Sequence, residues 1–335
     1  MIVTTRTPLR VSFFGGGTDL RDYYGRDYGA VVSTTIDKYV YVTVKPHGAL
    51  FNESFRLNYS KTEQTATAEE IENDIAREAI RFCEVDAPLY ISTVADLPSG
   101  SGLGSSSSFA VGLLHAFHTM KGRRITPGEL AASACRVEID ILGKPIGKQD
   151  QFAAAYGGLN YIRFDANERV SITPIGLSAQ NTALLFSSFL LFWTGISRSA
   201  DDVLSDQKQR AAINVGPLDR MREIADRACE LLHDPDLSLQ QFGELLHEAW
   251  SLKQRLSPRI AEDHITGWYR CGIEAGAYGG KLCGAGAGGF LLFCAPPERH
   301  AAIRAALPKL KSLSVGYDPL GTRLLFPGYA EVVTQ

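Results

Sequence analysis

The stretch LPSGSGLGSSSSFAVG at residues 97–112 combines glycines and serines in a pattern suited to binding phosphate. Glycine permits positive φ angles and lets a ligand approach the main chain closely. The serines lead directly into an apolar segment in which Phe109, Leu113 and Phe117 recur every four residues, as in a helix. The free N–H groups and positive dipole of a helix N-terminus bind anions. The stretch therefore predicts a phosphate-binding loop, with a tight turn and ordinary helix capping as the alternative.

Two widespread nucleotide-binding patterns do not account for this stretch. The P-loop pattern GxxxxGK[ST] occurs nowhere in the chain. The dinucleotide pattern GxGxxG is matched by Gly284, Gly286 and Gly289, but that pattern should open a helix. Here Gly289 runs into the strand-like residues 290–293, so we expect a strand–turn–strand hairpin.

The composition limits the class of protein. A chain of 335 residues, 45% of them hydrophobic, favours two globular domains. The net charge of −3 provides no basic field, so we expect neither nucleic acid nor a membrane as a partner. Six scattered cysteines without a CxxC pair predict reduced thiols in a cytoplasmic protein. The longest apolar stretch, residues 183–193, is too short for a membrane helix, and the first residues are not typical of a secretory signal.

Strands and helices must hold these residues in place. Residues 11–14 form a strand-like run ahead of three glycines, and residues 30–46 are β-branched and aromatic. The sequence TPGEL at 126–130 predicts the start of a helix that continues to about Leu142. Residues 182–195 predict one or two buried strands.

The second half of the chain alternates helical segments with the expected hairpin. This order is typical of an α+β layer. We place a domain boundary near residue 182, which gives an N-terminal ATP-binding and catalytic domain at 1–182 and a C-terminal domain at 183–335.

Three stretches resemble, in the right order, the motifs of the GHMP kinase family. PSGSGLGSSSS at 98–108 is similar to the central pattern PxxxGLGSSAA, TPLRVSFFGGGTDL at 7–20 to the first motif, and KLCGAGAGGF at 281–290 to the third. The resemblance implies an α+β fold with two domains, the first like ribosomal protein S5 and the second ferredoxin-like. It also implies a kinase that uses ATP and Mg²⁺.

The resemblance assigns the ATP phosphates to the central motif. Its residues are Pro98, Ser99, Gly100, Ser101, Gly102, Leu103, Gly104, Ser105, Ser106 and Ser107. Ser106 and Glu138 are the implied ligands of Mg²⁺, an ion that takes oxygen ligands. Without the resemblance, the pattern around Glu138 favours a solvent-facing carboxylate on a helix.

The implied catalytic residues are Asp150 and Arg10. Asp150 lies in GKPIGKQDQFAAAYGG, which resembles the GxxxGxxDQ stretch of galactokinase-like members, where the aspartate is the base. Its alternative role is to cap the helix that follows. Arg10 belongs to the first motif and is the implied cation beside this base, where it would offset charge on the transferring phosphate. Lys148 lies nearby in sequence and receives no role.

The first motif carries information about the acceptor. Galactokinases have GEHTDY where this chain has GGGTDL, so two side chains are missing and more room is left. Asp19 would accept hydrogen bonds from sugar hydroxyls, or would form an Asx turn after the glycines. The residues implied to bind the substrate are Gly16, Gly17, Thr18, Asp19, Arg198, Gly284 and Gly286.

The runs RVSFFGGGTDL, GAVVSTTIDKYVYVTV and TGISRSADDVL are most similar to family members that phosphorylate heptose 7-phosphates. The implied reaction moves the γ-phosphate of ATP to the anomeric hydroxyl, giving a 1,7-bisphosphate for nucleotide-activated heptose in capsule or lipopolysaccharide synthesis. Arg198 would bind the phosphate already on the sugar, with Arg21, Arg26 and Lys45 as weaker candidates.

Two alternatives stay open. One is a kinase of the same family acting on fucose, mannose, a uronic acid or a mevalonate-type alcohol. The other is a sugar or nucleotide sensor without catalysis. The expected partner is a small sugar phosphate, and the chain could form a homodimer.

Overall fold

The computed structural model describes residues 1–48, 50–197, 200–210 and 213–325. These residues form two β-sheets with helices packed against them. None of the helices in these ranges is long and apolar enough to cross a membrane.

The strands belong to two sheets. They are β1 (Val3–Phe14), β2 (Tyr28–Pro46), β3 (Phe55–Asn58), β4 (Thr62–Thr65), β5 (Leu89–Ala95), β6 (Leu159–Asp165), β7 (Val170–Pro174), β8 (Phe189–Trp193), β9 (Gly279–Leu282), β10 (Phe290–Cys294), β11 (Lys311–Leu313) and β12 (Arg323–Leu325). The first sheet has the order β12–β1–β2–β5–β3–β4, with β6 beside β2 and β7 beside β6. The second has the order β11–β8–β10–β9. Strands β9 and β10 pair antiparallel, which confirms the hairpin expected around the third motif.

The helices lie mostly between and beside these strands. They are α1 (Arg21–Tyr24), α2 (Asp74–Phe82), α3 (Ser105–Met120), α4 (Pro127–Cys135), a π-helical turn (Arg136–Ile141), α5 (Gln149–Tyr156), α6 (Ala179–Ser187), α7 (Ala200–Gln209), α8 (Val215–His233), α9 (Leu239–Leu256), α10 (Asp263–Glu274), a 3₁₀ turn (Pro297–Arg299) and α11 (His300–Ala306). Helix α3 packs on β1 and β2, and α9 packs on β9 and β10. Thr126 and Glu129 form the capping box that starts α4, as the sequence predicts.

Helix α3 approaches β1 unusually closely at Gly112. A Cβ atom on Gly112 would lie 2.6 Å from Thr7 Oγ1. Thr5 Oγ1 instead donates a hydrogen bond of 3.0 Å to the Gly112 carbonyl. The missing side chain thus lets α3 lie directly on the strand. The N-terminus of α3 lies beside the middle of β1, where Ser108 Oγ donates a hydrogen bond of 2.8 Å to the Pro8 carbonyl.

The region expected to form one or two strands at 182–195 is half helix. Ser178 caps α6 by accepting a hydrogen bond from the Asn181 amide, and α6 runs to Ser187 before β8 begins. Serine at an N-cap favours the helix although the residues are strongly apolar, because a short apolar run fits either structure. The boundary expected near 182 therefore falls within α6 and stays a prediction. The structure adds that β12 pairs antiparallel with β1, so residues 323–325 belong to the first sheet.

A buried lysine joins the second sheet to the end of β1. Lys281 on β9 is 5% exposed, and its Nζ donates hydrogen bonds of 2.7 Å to the Ser12 carbonyl and 3.0 Å to the Phe13 carbonyl. Burial lowers the pKa of Lys281 to about 7. Phe13 also packs against Phe189 and Phe242, with ring centroids 5.1 and 5.3 Å away. The first motif is thus anchored to the second sheet by both polar and apolar contacts.

Replacing Lys281 by methionine should change the pH dependence of stability. The pKa of Lys281 is lowered from 10.5 to about 7, so over this range the unfolded state holds a proton that the folded state has released. The free energy of unfolding of the wild type therefore rises with pH there, by at most about 1.4 kcal/mol per pH unit from this group. The variant should lose this part of the slope in urea unfolding measured between pH 7 and 10.

Lys311→Met is the matched control, since Lys311 is an exposed lysine on β11. It should keep the wild-type slope. A Lys281→Met variant whose slope equals that of the wild type would contradict the lowered pKa of the buried ammonium.

Candidate active site

A cavity of about 460 Å³ brings the three sequence motifs together. It lies where the loop after β1, the loop before α3 and the β9–β10 turn meet. The predicted residues that line it are Arg10, Gly16, Gly17, Asp19, Ser99, Gly100, Gly102, Gly104, Ser105, Ser106, Ser107, Asp150, Gly284 and Gly286. Residues far apart in the chain therefore meet in one place, as the motif order predicts.

Some predicted residues lie behind the cavity wall or elsewhere. Pro98, Thr18, Ser101, Leu103 and Glu138 do not line the cavity, and Arg198 lies outside the described residues. Leu103 is 0% exposed and belongs to the apolar core. Thr18 Oγ1 donates to the Gly15 carbonyl and accepts from the Ala30 amide, so Thr18 shapes the glycine turn. The weaker phosphate candidates Arg21, Arg26 and Lys45 do not line the cavity either.

The loop before α3 has the geometry of an anion site. Gly100, Gly102 and Gly104 have φ angles of 69°, 79° and 77°, a region that favours glycine. Gly104 is the N-cap of α3, and no described side chain caps that end of the helix. The first N–H groups of a helix of 16 residues therefore remain available to a ligand beside Ser105 and Ser106.

Two glycine loops contact each other backbone to backbone at the floor of the cavity. A Cβ atom on Gly102 would lie 2.5 Å from the Cys283 carbonyl oxygen, and one on Gly284 would lie 2.6 Å from Gly102 Cα. The Phe290 amide donates a hydrogen bond of 3.1 Å to the Ser101 carbonyl. The central and third motifs are thus glycine-rich partly because each makes room for the other.

Arg10 and Asp150 form a bidentate ion pair at the cavity. Arg10 Nε and Nη2 donate to the two carboxylate oxygens of Asp150 at 2.7 Å each, and Arg10 Nη1 donates to the Gly102 carbonyl at 2.7 Å. The Arg10 side chain is 6% exposed and that of Asp150 is 23% exposed. The guanidinium is therefore fixed between the loop before α3 and the Asp150 carboxylate. No side chain caps the start of α5, so the alternative role of Asp150 as a cap is not observed.

Lys148, the residue without an assigned role, faces away from this pair. It forms an ion pair with Glu168 and lies over the ring of Tyr24, with Nζ 5.2 Å from the ring centroid. These contacts give it a structural role.

Glu138 is buried in a π-helical turn instead of facing solvent. It is 0% exposed, and burial raises the pKa of its carboxyl group. Ser106 Oγ donates to Glu138 Oε1 at 2.9 Å, and Gln151 Nε2 donates to Oε2 at 2.6 Å. The extra residue in a π turn shifts the side chains relative to an α-helix, and here it directs Glu138 toward the start of α3. Ser106 links this carboxylate to the cavity, because Ser106 lines it.

Asp19 is a second buried carboxylate, and it lines the cavity. It is 2% exposed, and burial raises the pKa of its carboxyl group. Its Oδ1 accepts from the Gly17 amide at 2.9 Å and its Oδ2 from the Gln149 amide at 3.3 Å. The Gly17 amide lies two residues before Asp19, whereas an Asx turn uses the amide two residues after the aspartate, so the Asx turn considered as the alternative is not observed among the described contacts. Asp19 lines the cavity, as predicted.

Sequence reasoning missed seven polar residues that line the cavity. These are Ser12, Lys144, Gln149, Ser197, Gln207, Lys253 and Lys281. Lys253 is 6% exposed, and its Nζ donates to the Gly284 carbonyl at 2.7 Å. A signal was present, since Lys253 lies on the apolar face of α9, where Phe242, Leu246 and Trp250 are buried. A lysine on such a face is unusual unless it has a partner.

The chain matches known proteins over most of its length. Residues 73–158 match the family model for the GHMP kinases N terminal domain, and residues 210–312 match that for GHMP kinases C terminal. The D-glycero-alpha-D-manno-heptose 7-phosphate kinase of Campylobacter jejuni is 31% identical over 92% of this chain and 93% of its own. A galactokinase of Pyrococcus furiosus is 24% identical over 91% of this chain and 92% of its own.

Solved structures give the same result. The crystal structure of a D-glycero-D-manno-heptose 1-phosphate kinase from Bacteroides thetaiotaomicron has a TM-score of 0.78 and 26% identity, covering 97% of this chain and 99% of that one. The two-domain fold expected from the three motifs is thereby confirmed. The chain belongs to the GHMP kinase family and is an ATP-dependent phosphotransferase that acts on a hydroxyl group.

Proposed function

We propose that the protein transfers the γ-phosphate of ATP to the anomeric hydroxyl of D-glycero-D-manno-heptose 7-phosphate, giving the 1,7-bisphosphate. The observation that carries the proposal is the Arg10–Asp150 pair, which lines the cavity together with Asp19 and contacts the loop before α3 through the Gly102 carbonyl. The relative named as a heptose 7-phosphate kinase supports this choice of acceptor. The solved structure named as a heptose 1-phosphate kinase supports a heptose phosphate but not the position of its phosphate. The product would supply a reaction that activates the heptose with a nucleotide, for capsule or lipopolysaccharide synthesis.

The donor ATP binds beside the serines at the start of α3. The open N-terminus of α3 and the positive-φ glycines present N–H groups to the phosphates, and the hydroxyls of Ser105 and Ser107 add donors. With the donor bound in this way, the γ-phosphate would lie next to Arg10, whose guanidinium donates a hydrogen bond to the Gly102 carbonyl. Fixed positive charge at the point where charge develops lowers the barrier without reorganisation during the reaction.

Asp150 is placed to take up the proton of the attacking hydroxyl. The hydroxyl oxygen bonds to the γ-phosphorus, the bond from that phosphorus to the bridging oxygen of ADP breaks, and the proton moves to the Asp150 carboxylate. The carboxylate is partly exposed to the cavity, while Arg10 holds both its oxygens in a fixed plane. Arg10 therefore orients the base and offsets the charge of the transferring group.

Ser106 and Glu138 fit Mg²⁺, which prefers oxygen ligands and takes few of them from protein. Within the described ranges, no group of three or more His, Cys, Asp or Glu side chains is placed to hold a metal ion. A site for Mg²⁺ here would therefore use the Ser106 hydroxyl and the Glu138 carboxylate, with phosphate and water as the other ligands. The ion, when bound, would neutralise charge on the phosphates.

Asp150→Asn should abolish most of the turnover and leave ATP binding intact. The amide keeps the size of the side chain but cannot accept the proton, so kcat should fall by at least about 100-fold. The measurement is ADP release with heptose 7-phosphate as acceptor, together with the Kd for ATP. Asp165→Asn is a matched control, because Asp165 ends β6 and does not line the cavity.

A panel of acceptors tests the identity of the sugar in the same assay. The panel contains heptose 7-phosphate, mannose, fucose, galactose and glucuronic acid. Heptose 7-phosphate should give the highest kcat/KM. A higher kcat/KM for another sugar would make that sugar the acceptor in place of heptose 7-phosphate. A kcat of Asp150→Asn equal to that of the wild type would contradict the role of Asp150 as the base. An absence of ADP release with every acceptor would favour the sensor.

Glu138→Gln should raise the Mg²⁺ concentration needed for half-maximal activity. The amide keeps the shape and removes the charge of the proposed ligand, so we expect a shift of about tenfold or more. Activity is measured against Mg²⁺ at a fixed ATP concentration. Glu129→Gln is the control, since glutamine also serves in a capping box, and it should leave the Mg²⁺ dependence unchanged. An unchanged dependence in Glu138→Gln would exclude Glu138 as a ligand.

A further inference from the structure

The connection between the π-helical turn and α5, residues 142–148, carries a cation at the cavity that the mechanism above does not use. Lys144 and Gly147 of this connection both line the cavity. The Lys144 amide donates a hydrogen bond of 3.0 Å to the Glu138 carbonyl, whereas a Cβ atom on Gly147 would clash with the Asp19 carboxylate. Lys144 therefore lies at the end of the connection near Glu138, and Gly147 lies at the end near Asp19.

Lys144 is held more loosely than the other cations at the cavity. Arg10, Lys253 and Lys281 each make a hydrogen bond of 2.7 Å to a carboxylate or a main-chain carbonyl. Lys144 Nζ instead lies 3.5 and 3.3 Å from the two carboxylate oxygens of Asp74. Hydrogen bonds between charged groups are usually about 2.7–2.9 Å long. The Lys144 ammonium is thus less firmly bound than the other three cations.

The Asp74 carboxylate is a weak partner that also keeps Lys144 near the start of α3. The Asp74 side chain is 46% exposed and that of Lys144 is 18% exposed. Ion pairs that are open to water contribute little to stability. Asp74 is the first residue of α2, and α2 packs against α3 and the π-helical turn. A phosphate group bound in the cavity can therefore replace Asp74 as the partner of this ammonium.

A donor at the start of α3 would meet negative charge from the protein. Glu138 accepts a hydrogen bond from Ser106, so its carboxylate lies next to the proposed place of the ATP phosphates. Like charges at short distance oppose binding. The Lys144 ammonium offsets this effect, since it is attached to the same turn as Glu138 and lines the cavity.

We propose that Lys144 exchanges Asp74 for the β-phosphate of ATP when the nucleotide binds. The inference rests on the proposed place of the donor beside the serines and deepens it. In kinases Mg²⁺ bridges the β- and γ-phosphates, and Glu138 is a proposed ligand of that ion. Arg10 pairs with the proposed base Asp150 and therefore meets the γ-phosphate. The β-phosphate is then the one left for the cation near Glu138.

This contact gives Lys144 a part in the reaction. As the bond between the γ-phosphorus and the bridging oxygen breaks, negative charge develops on the β-phosphate of the departing ADP. An ammonium already placed beside that phosphate stabilises the developing charge. Lys144 thus acts on the leaving group, while Arg10 acts on the transferring group.

Lys144→Met tests the proposal by removing the charge from an unbranched side chain of similar length. The Kd values for ATP and for ADP should both rise about tenfold or more, as expected for the loss of a hydrogen bond between charged groups. The Kd for AMP should not change, because AMP has no β-phosphate. Titration calorimetry with Mg²⁺ and without acceptor measures these values. Lys144→Arg keeps the charge and should restore most of the affinity for ATP.

Asp74→Asn separates a contact with the nucleotide from a structural role of the ion pair. If Lys144 only held α2 in place through Asp74, both variants would weaken ATP binding. Because Asp74 competes with the phosphate, Asp74→Asn should instead leave the Kd for ATP unchanged or lower it. Lys38→Met is the matched control, since the Lys38–Asp37 pair has similar exposures of 21% and 45%, and Lys38 does not line the cavity. Its Kd values should equal those of the wild type.

Three results would overturn the contact between Lys144 and the β-phosphate. They are wild-type Kd values for ATP and ADP in Lys144→Met, an equal loss of affinity for AMP, and equal weakening of ATP binding by Lys144→Met and Asp74→Asn. A rise of the Kd for ATP but not for ADP would also contradict it, since the contacted phosphate would be the γ-phosphate.

Ser106→Ala distinguishes failure of this contact from failure of the proposed place of the donor. A weaker affinity for ATP in Ser106→Ala, together with a wild-type Kd in Lys144→Met, would overturn the role of Lys144 alone. Wild-type Kd values in both variants would overturn the place of the donor as well. The proposed sugar does not affect either result, because no acceptor is present in the titration.

Discussion

The close contact between two glycine loops is the constraint on which the cavity depends. Gly102 and Gly284 approach within a distance that any side chain on either would block. Because the loops touch through their backbones, the loop before α3 and the turn between β9 and β10 form one continuous wall of the cavity. Arg10 reaches that wall through the Gly102 carbonyl, and Lys253 reaches it through the Gly284 carbonyl. The position of each charged group is thereby set by main-chain atoms.

The three carboxylates in and next to the cavity differ in how deeply they are buried. Asp150 keeps partial access to solvent, whereas Asp19 and Glu138 are buried, and burial raises the pKa of both buried carboxyl groups. Each buried carboxylate receives backbone or side-chain donors that offset the cost of burial. Under the proposed function, Asp150 would accept the proton, while the two buried carboxylates would serve for binding.

The sequence predicts those features that depend on neighbours in the chain. The strand–glycine–helix order around Gly104, the hairpin before Phe290 and the cap at Thr126 all follow from local spacing. Features that depend on distant residues are missed. Lys253 is brought to Gly16 only by the packing of α9, and the π turn at Glu138 leaves no pattern that distinguishes it from an α-helix. A serine cap at residue 178 similarly turns an apolar run expected to be strand into helix.

The pairing of β12 with β1 has a consequence for the order of folding during synthesis. β1 leaves the ribosome before the other described strands, and part of one of its edges, at residues 4–6, is covered by residues 323–325. Until those residues emerge, that edge presents unpaired N–H and C=O groups, which can pair with another chain. The N-terminal sheet therefore cannot be completed by the first half of the chain alone. Nascent chains that stall before residue 325 carry an open edge at β1.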